Sequence, residues 1–241
     1  MKIGLSAEEI MKILNTNFDT LPELHPLREH SDWIHKVWES RDVPDVQVIP
    51  SPTLDPSQQA LSIFSMILYI AKIRNWKLFE AGIEIAATDN SFALAQIVRA
   101  SFENAGWLGC ACHYAKDWPP HKPCDKLKNL LTGTRESGDE TQSVNILTCL
   151  EKADRVLREA LPDVDLGDWI KDFHALVSEF VHPNFDSNFS EIELIDEPQP
   201  ILRLSAEITR LSLDSLLKQL RFAGFAFEQL HRIASNKIKI G

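Results

Sequence analysis

Where the prolines fall constrains this chain most. They gather between Pro22 and Pro56, at Pro119, Pro120 and Pro123, and at Pro198 and Pro200, leaving long stretches such as 57–118 and 201–241 without one. Proline removes a backbone donor and clashes with the preceding turn of a helix, so proline-free stretches are where long helices fit. With only nine glycines in 241 residues, a turn-rich all-β fold is disfavoured. The expectation is an all-α fold, a helical bundle of about five or six long helices with one short β-hairpin near the C-terminal end. Residues 1-55 read as an N-terminal extension or arm packed on the bundle, and 56-241 as the helical bundle domain.

Local signals place the elements. Ser6 stands three positions before Glu9, a capping-box spacing that predicts a first helix over about 7 to 15. A short amphipathic piece follows around Arg28–Glu39. Asp55-Pro56 pairs a capping side chain with a proline suited to the first helical position, so a long helix opens there and runs to about Phe79. Asn90-Ser91 opens a second one, which must stop before Pro119. A shorter helix is expected over Asp125–Leu131, a loop from Gly133 to Gly138, and a helix over Thr141–Leu161 closed by Pro162. Asp168 to His182 reads as helix with Trp169, Phe173, Leu176, Val177 and Phe180 on one stripe. Phe189–Ile195 alternates with period two and is separated from Ile201–Leu204 by Asp-Glu-Pro-Gln-Pro, which is the hairpin signal. A final helix runs from about Ala206 to Ala234.

Charge and cysteine usage narrow the function classes. The formal net charge is −10. Phosphate binding rests on cationic side chains and counterion release, so a non-specific nucleic-acid binder is disfavoured and no DNA partner is expected. Cysteines stand at 110, 112, 124 and 149, which is not the dense pattern of a secreted disulfide scaffold. The N-terminal residues carry no apolar core of signal-peptide length. The most apolar run, Ala60 to Ala71, is too short to span a bilayer. A cytoplasmic protein with no membrane partner is expected.

The second long helix carries the strongest clue. At 100° per residue, Leu94, Ile97, Leu108, Cys112 and Ala115 share one side. Gln96, Arg99, Glu103, Gly106, Cys110, His113 and Asp117 form a continuous stripe opposite, at alternating spacings of three and four. Two readings fit it. The stripe is a solvated face, with Arg99–Glu103 an ordinary i,i+4 pair. Alternatively it meets another helix across a polar cleft, where Arg99 binds an anion, Glu103 orients it or acts as a base, and His113 is a further polar partner. A second clue is Ser178-Glu179-Phe180-Val181-His182-Pro183-Asn184. Pro183 ends the helix, leaving His182 at a C-terminus whose dipole favours the protonated imidazole. His182 is either a plain cap in a turn or a polar site residue. The candidate site residues are therefore Arg99, Glu103 and His182.

Metal chemistry is weaker. Glu179/His182 and Glu228/His231 have the spacing of di-iron bundles, with Glu84 and Glu103 as the remaining carboxylates, but such pairs arise readily by chance. Cys110-x2-His113 and His121-x2-Cys124 supply zinc's ligand types at a non-standard spacing. No metal and no cofactor is expected. No phosphate loop, nucleophile elbow or dinucleotide fingerprint is present. Gly106 and Gly109 are expected to permit close helix packing.

The run Leu94-Ala-Gln-Ile-Val-Arg99-Ala-Ser-Phe-Glu103-Asn-Ala, followed by Ser178-Glu-Phe-Val-His-Pro-Asn184 and a hairpin, resembles a group of bacterial helical proteins related to the HEPN superfamily. The likeness covers about residues 56–236. It implies an up-and-down bundle with the Arg99/Glu103 helix facing the His182 end. Many HEPN members are ribonucleases of defence systems and act as dimers, so RNA and a second copy of the chain are the implied partners. Active members carry Arg, four to six residues, then His on one helix, and no arginine within 56–236 has that spacing. The resemblance thus implies a HEPN-like protein of bacterial defence or stress response that binds or cleaves RNA. The alternative is a catalytically inert helical interaction or dimerisation module.

Overall fold

A computed structural model describes residues 21, 23, 25–39, 55–116, 125–132, 145–164, 167–181, 192–195, 201–204 and 212–240. These are mostly helical: α1 (Pro26–Glu29), α2 (Ser31–Glu39), α3 (Pro56–Ala86), α4 (Ser91–Tyr114), α5 (Asp125–Thr132), α6 (Ile146–Ala160), α7 (Trp169–Val181) and α8 (Leu213–Ile240). Two four-residue strands, β1 (Ile192–Ile195) and β2 (Ile201–Leu204), pair antiparallel with Ile192 opposite Leu204 and Ile195 opposite Ile201. The helix expected over 7 to 15 and the loop at 133–138 lie outside the described residues.

The helix starts follow from side-chain caps. Asp55 Oδ1 accepts from the backbone N–H of Ser57 and of Gln58, each at 2.9 Å, and the Gln58 side chain reaches back to the Asp55 N–H. That reciprocal cap satisfies donors that the first turn leaves orphaned. Asn90 Oδ1 accepts from Ala93 N at 3.0 Å, and Asn145 Oδ1 from Leu147 N at 3.0 Å. Between α3 and α4 the chain reverses through Asp89 at φ 56°, a left-handed conformation that aspartate tolerates better than most side chains. Some expected bounds move. The helix α3 runs one to two turns past Phe79, α6 starts at Ile146 rather than Thr141, and α8 continues to Ile240.

Helix α4 is the axis of the bundle and packs against α3, α5, α6, α7 and α8. It is buried nearly all round: Leu94, Ala95, Val98, Phe102, Ala105, Leu108, Cys110, Ala111 and Cys112 are all inside. The fully buried rings of Phe64 and Phe102 each contribute about 1.5–3 kcal/mol by leaving water. Its closest neighbour is α6. A Cβ on Gly109 would lie 2.3 Å from Ala153 Cβ, and one on Gly106 would lie 2.7 Å from Leu150 Cδ2. Two of the seven residues of the expected polar stripe, Gly106 and Cys110, therefore belong to a close-packing seam. Gln96 is exposed, Arg99, Glu103 and His113 are half-buried, and Gly106 and Cys110 are buried. Asp117 lies outside the described residues.

Helices α1 and α2 pack on the same core. Leu27, Ile34 and Trp38 are buried in it, the Trp38 and Trp76 rings are 4.8 Å apart, and His30 Nε2 reaches Asp214 Oδ1 on α8 at 3.0 Å. One expectation for α7 is corrected. Leu176 is 51% exposed, so the inward face is Ile170, His174, Val177 and Val181. The spacing 4, 3, 4 is the helical repeat shifted by about one residue from the aromatic stripe.

Candidate polar site between α4 and α7

Arg99 and Glu103 stand one turn apart on α4. Arg99 Nε donates to Glu103 Oε1 at 3.0 Å, and the same oxygen accepts from His174 Nε2 of α7 at 3.1 Å. Two consecutive residues of each helix meet here. Phe102 stacks on Phe173 with ring centroids 5.9 Å apart, and the next residue on each helix completes the carboxylate–imidazole pair. The apolar pair sets the helix separation, and the polar pair fixes the register.

The Glu103 side chain is one-third exposed, that of Arg99 one-quarter, and that of His174 only 5%. A carboxylate can only accept, so the shared proton of the pair sits on His174 Nε2. His174 Nδ1 faces the Ser178 hydroxyl, 3.5 Å away one turn on. The His174 hydrogen bond is the largest influence holding the Glu103 carboxyl below its ordinary range. Burial opposes it, and Arg99 adds to it by hydrogen bond and charge. In the folded state Glu103 is thus an ionised acceptor gripped from two helices.

The structure brings Arg99 and Glu103 together. His182 lies outside the described residues, and the imidazole that meets Glu103 is His174. Sequence reading missed His174 because the flanking aromatics Trp169 and Phe173 drew the stripe. The signal that finds it is the 170/174/177/181 spacing. His113 is not in this site. It stands beside Tyr114 with ring centroids 6.0 Å apart, and burial, then Lys152 and Arg155, push its pKa down.

The other motifs resolve differently. Cys110 points into the α4–α6 seam, where its thiol hydrogen-bonds to that of Cys149, and that contact with burial pushes the Cys149 thiol up. His121 and Cys124 lie outside the described residues. Among the described residues no three His, Cys, Asp or Glu side chains gather to hold a metal ion. His231 is pushed down to about 4 by burial and stays neutral at physiological pH. Sequence reading also passed over Arg28 and His35, which are separated by six residues. They fall on two helices, α1 and α2, with His30 between.

No helix of the described residues is long and apolar enough to cross a membrane. No family model matches the chain, and no curated protein or solved structure matches it.

Proposed function

We propose that this chain is a HEPN-like helical protein of bacterial defence or stress response that binds RNA without cleaving it. The observation that carries this reading is the Arg99–Glu103–His174 network. Arg99 keeps a quarter of its side chain in solvent beside a carboxylate that fixes its rotamer, which suits a positioned guanidinium that meets a phosphate. Glu103 and His174 are spent on each other and on the helix crossing, so neither stands as an uncommitted acid or base. Arg28 and His35, at the HEPN spacing, belong to separate helices. Each of these favours binding over cleavage. The test is fluorescence anisotropy of a mixed single-stranded RNA pool against wild type and Arg99→Ala, with the pool run on a gel afterwards. Saturable binding that weakens with salt and with Arg99→Ala, and RNA that stays intact, is the expected result. Cleaved RNA would overturn the non-catalytic reading, and no binding would overturn the RNA reading.

A second reading is an inert interaction or dimerisation module. It is favoured by an exposed apolar patch on α7 and α8. Phe222 and Phe225 are 43% and 45% exposed, with centroids 5.7 Å and 6.2 Å from Trp169, and Leu176 is also exposed. Such rings on a surface often mark a contact with another chain. Sedimentation of wild type and Phe222→Ser/Phe225→Ser separates the readings. A dimer lost in the double variant supports the module.

A further inference from the structure

A cleft of about 460 Å³ opens where α3, α4 and the start of α6 meet. Its walls are Leu78, Ile146 and the indole of Trp107, the Glu103 carboxylate of the polar site borders it, and its rim carries the exposed cations Arg74 and Lys77. Neither cation pairs with a carboxylate among the described residues, and the Arg74 guanidinium lies 5.1 Å from the Trp107 ring centroid. Asn104 lines the cleft while only 6% exposed. Its Nδ2 donates to the Ala71 carbonyl at 3.0 Å, which fixes the amide orientation. Its Oδ1 has no hydrogen-bond partner. A buried acceptor left unpaired is a standing cost in the empty protein. The cleft thus has an unpaired acceptor, an apolar and aromatic middle, the Glu103 carboxylate on its α4 side and a cationic rim on its α3 side.

We infer that this cleft binds a small aromatic carboxylate that carries an N–H or O–H donor at the end opposite its anion. The donor satisfies Asn104 Oδ1, the ring packs beside Trp107, and the carboxylate pairs with Arg74 and Lys77. The dimensions agree. Asn104 is anchored at the level of Ala71 on α3, and Arg74 and Lys77 follow three and six residues later, so the rise is about 4.5–9 Å. That is the span of one para-substituted ring. The cleft shares Glu103 with the proposed RNA site at Arg99, and the two readings are distinguished by the displacement experiment below.

Calorimetry of the full chain with 4-aminobenzoate, benzoate and aniline tests it. 4-Aminobenzoate binds saturably, and benzoate and aniline bind at least about tenfold more weakly, each having lost one end of the recognition. Asn104→Leu abolishes the preference for 4-aminobenzoate over benzoate. Arg74→Ala/Lys77→Ala, a pair of surface changes that leave the core untouched, weakens both acids and leaves aniline unchanged. No saturable heat with 4-aminobenzoate, or a preference unaltered in Asn104→Leu, overturns the inference. A single-stranded RNA that displaces 4-aminobenzoate with the same dependence on Asn104 would reassign the cleft to nucleic acid and overturn the small-molecule assignment. RNA that binds without displacing it leaves both sites standing.

Discussion

His174 of α7 donates its Nε2–H to Glu103 of α4 across 3.1 Å, a polar contact beside the Phe102–Phe173 stack that ties together residues 71 apart in sequence. Because it favours the ionised carboxylate, it makes the fold acid-sensitive in a defined window. The folded-state pKa of Glu103 is depressed below its ordinary 4.5. The stability it contributes is therefore present above about pH 4.5 and is lost as pH falls through the folded value. Glu103→Gln removes that dependence. Urea midpoints of wild type and Glu103→Gln should differ most near neutrality and converge as the pH falls through the folded-state pKa of Glu103. A gap that is constant with pH would mean that the pair is not coupled to folding.

Arg99 reports on the same carboxylate from its own helix. An exposed i,i+4 pair contributes under about 1 kcal/mol, whereas a half-buried carboxylate that loses one of its two donors costs about 1–3 kcal/mol. Arg99→Ala should fall at the boundary, about 1–2 kcal/mol. Combined with His174→Ala it should be non-additive by at least about 0.5 kcal/mol, because both remove a donor from one oxygen. Additive losses in chemical denaturation would place Arg99 and His174 in independent environments.

The seam between α4 and α6 is governed by volume. A methyl on Gly109 would lie 2.3 Å from Ala153 Cβ and 2.5 Å from Ala153 Cα, and the second distance is to backbone, which has little room to yield. Gly109→Ala should destabilise by about 1–3 kcal/mol or more through overpacking, although alanine is the better helix former. Ala153→Gly in the same chain should recover part of the loss by removing one of the two colliding atoms. Thermal melts of the two single variants and the double variant measure this directly.

Much of the fold is legible in the sequence because helix starts are local chemistry. Asp55-Pro56 with Gln58, and Asn90 before Ser91, place caps that depend on a few adjacent residues and not on tertiary context. The polar stripe on α4 is only partly legible. Gly106 and Cys110 sit in the same spacing as Arg99 and Glu103, and small residues look alike whether they line a cleft or admit a neighbouring helix. Only the partner, Ala153 or Leu150 on α6, decides which. His174 is hidden for a related reason. A buried histidine between aromatics has the same periodicity as a core residue, and its role depends on a carboxylate far away in sequence.

Asp154 gives the most discriminating pH test. It is 1% exposed, and from α6 it accepts the first backbone donors of α7, Ile170 N–H at 2.8 Å and Lys171 N–H at 3.1 Å. Asp154→Ala leaves these donors unpaired and should cost about 1–3 kcal/mol. The carboxyl itself is pushed up to about 6, chiefly by burial, with the two N–H donors opposing. Its folded pKa lies above the ordinary 3.8, so the sign is opposite to that of Glu103. The protonated form is favoured by folding, its contribution is complete below about pH 3.8, and it is lost as pH rises through about 6. Asp154→Asn carries no charge to desolvate and keeps one of the two oxygens, so it loses one acceptor at every pH while the pH dependence disappears. The unfolding free energy of Asp154→Asn relative to wild type, from urea denaturation, should therefore rise by about 2–3 kcal/mol between pH 4 and pH 6 and level off above about 6.5. A difference that stays flat across that range would show that the helix N-terminus of α7 compensates the buried charge in full. Asp154 would then be an ordinary ionised cap.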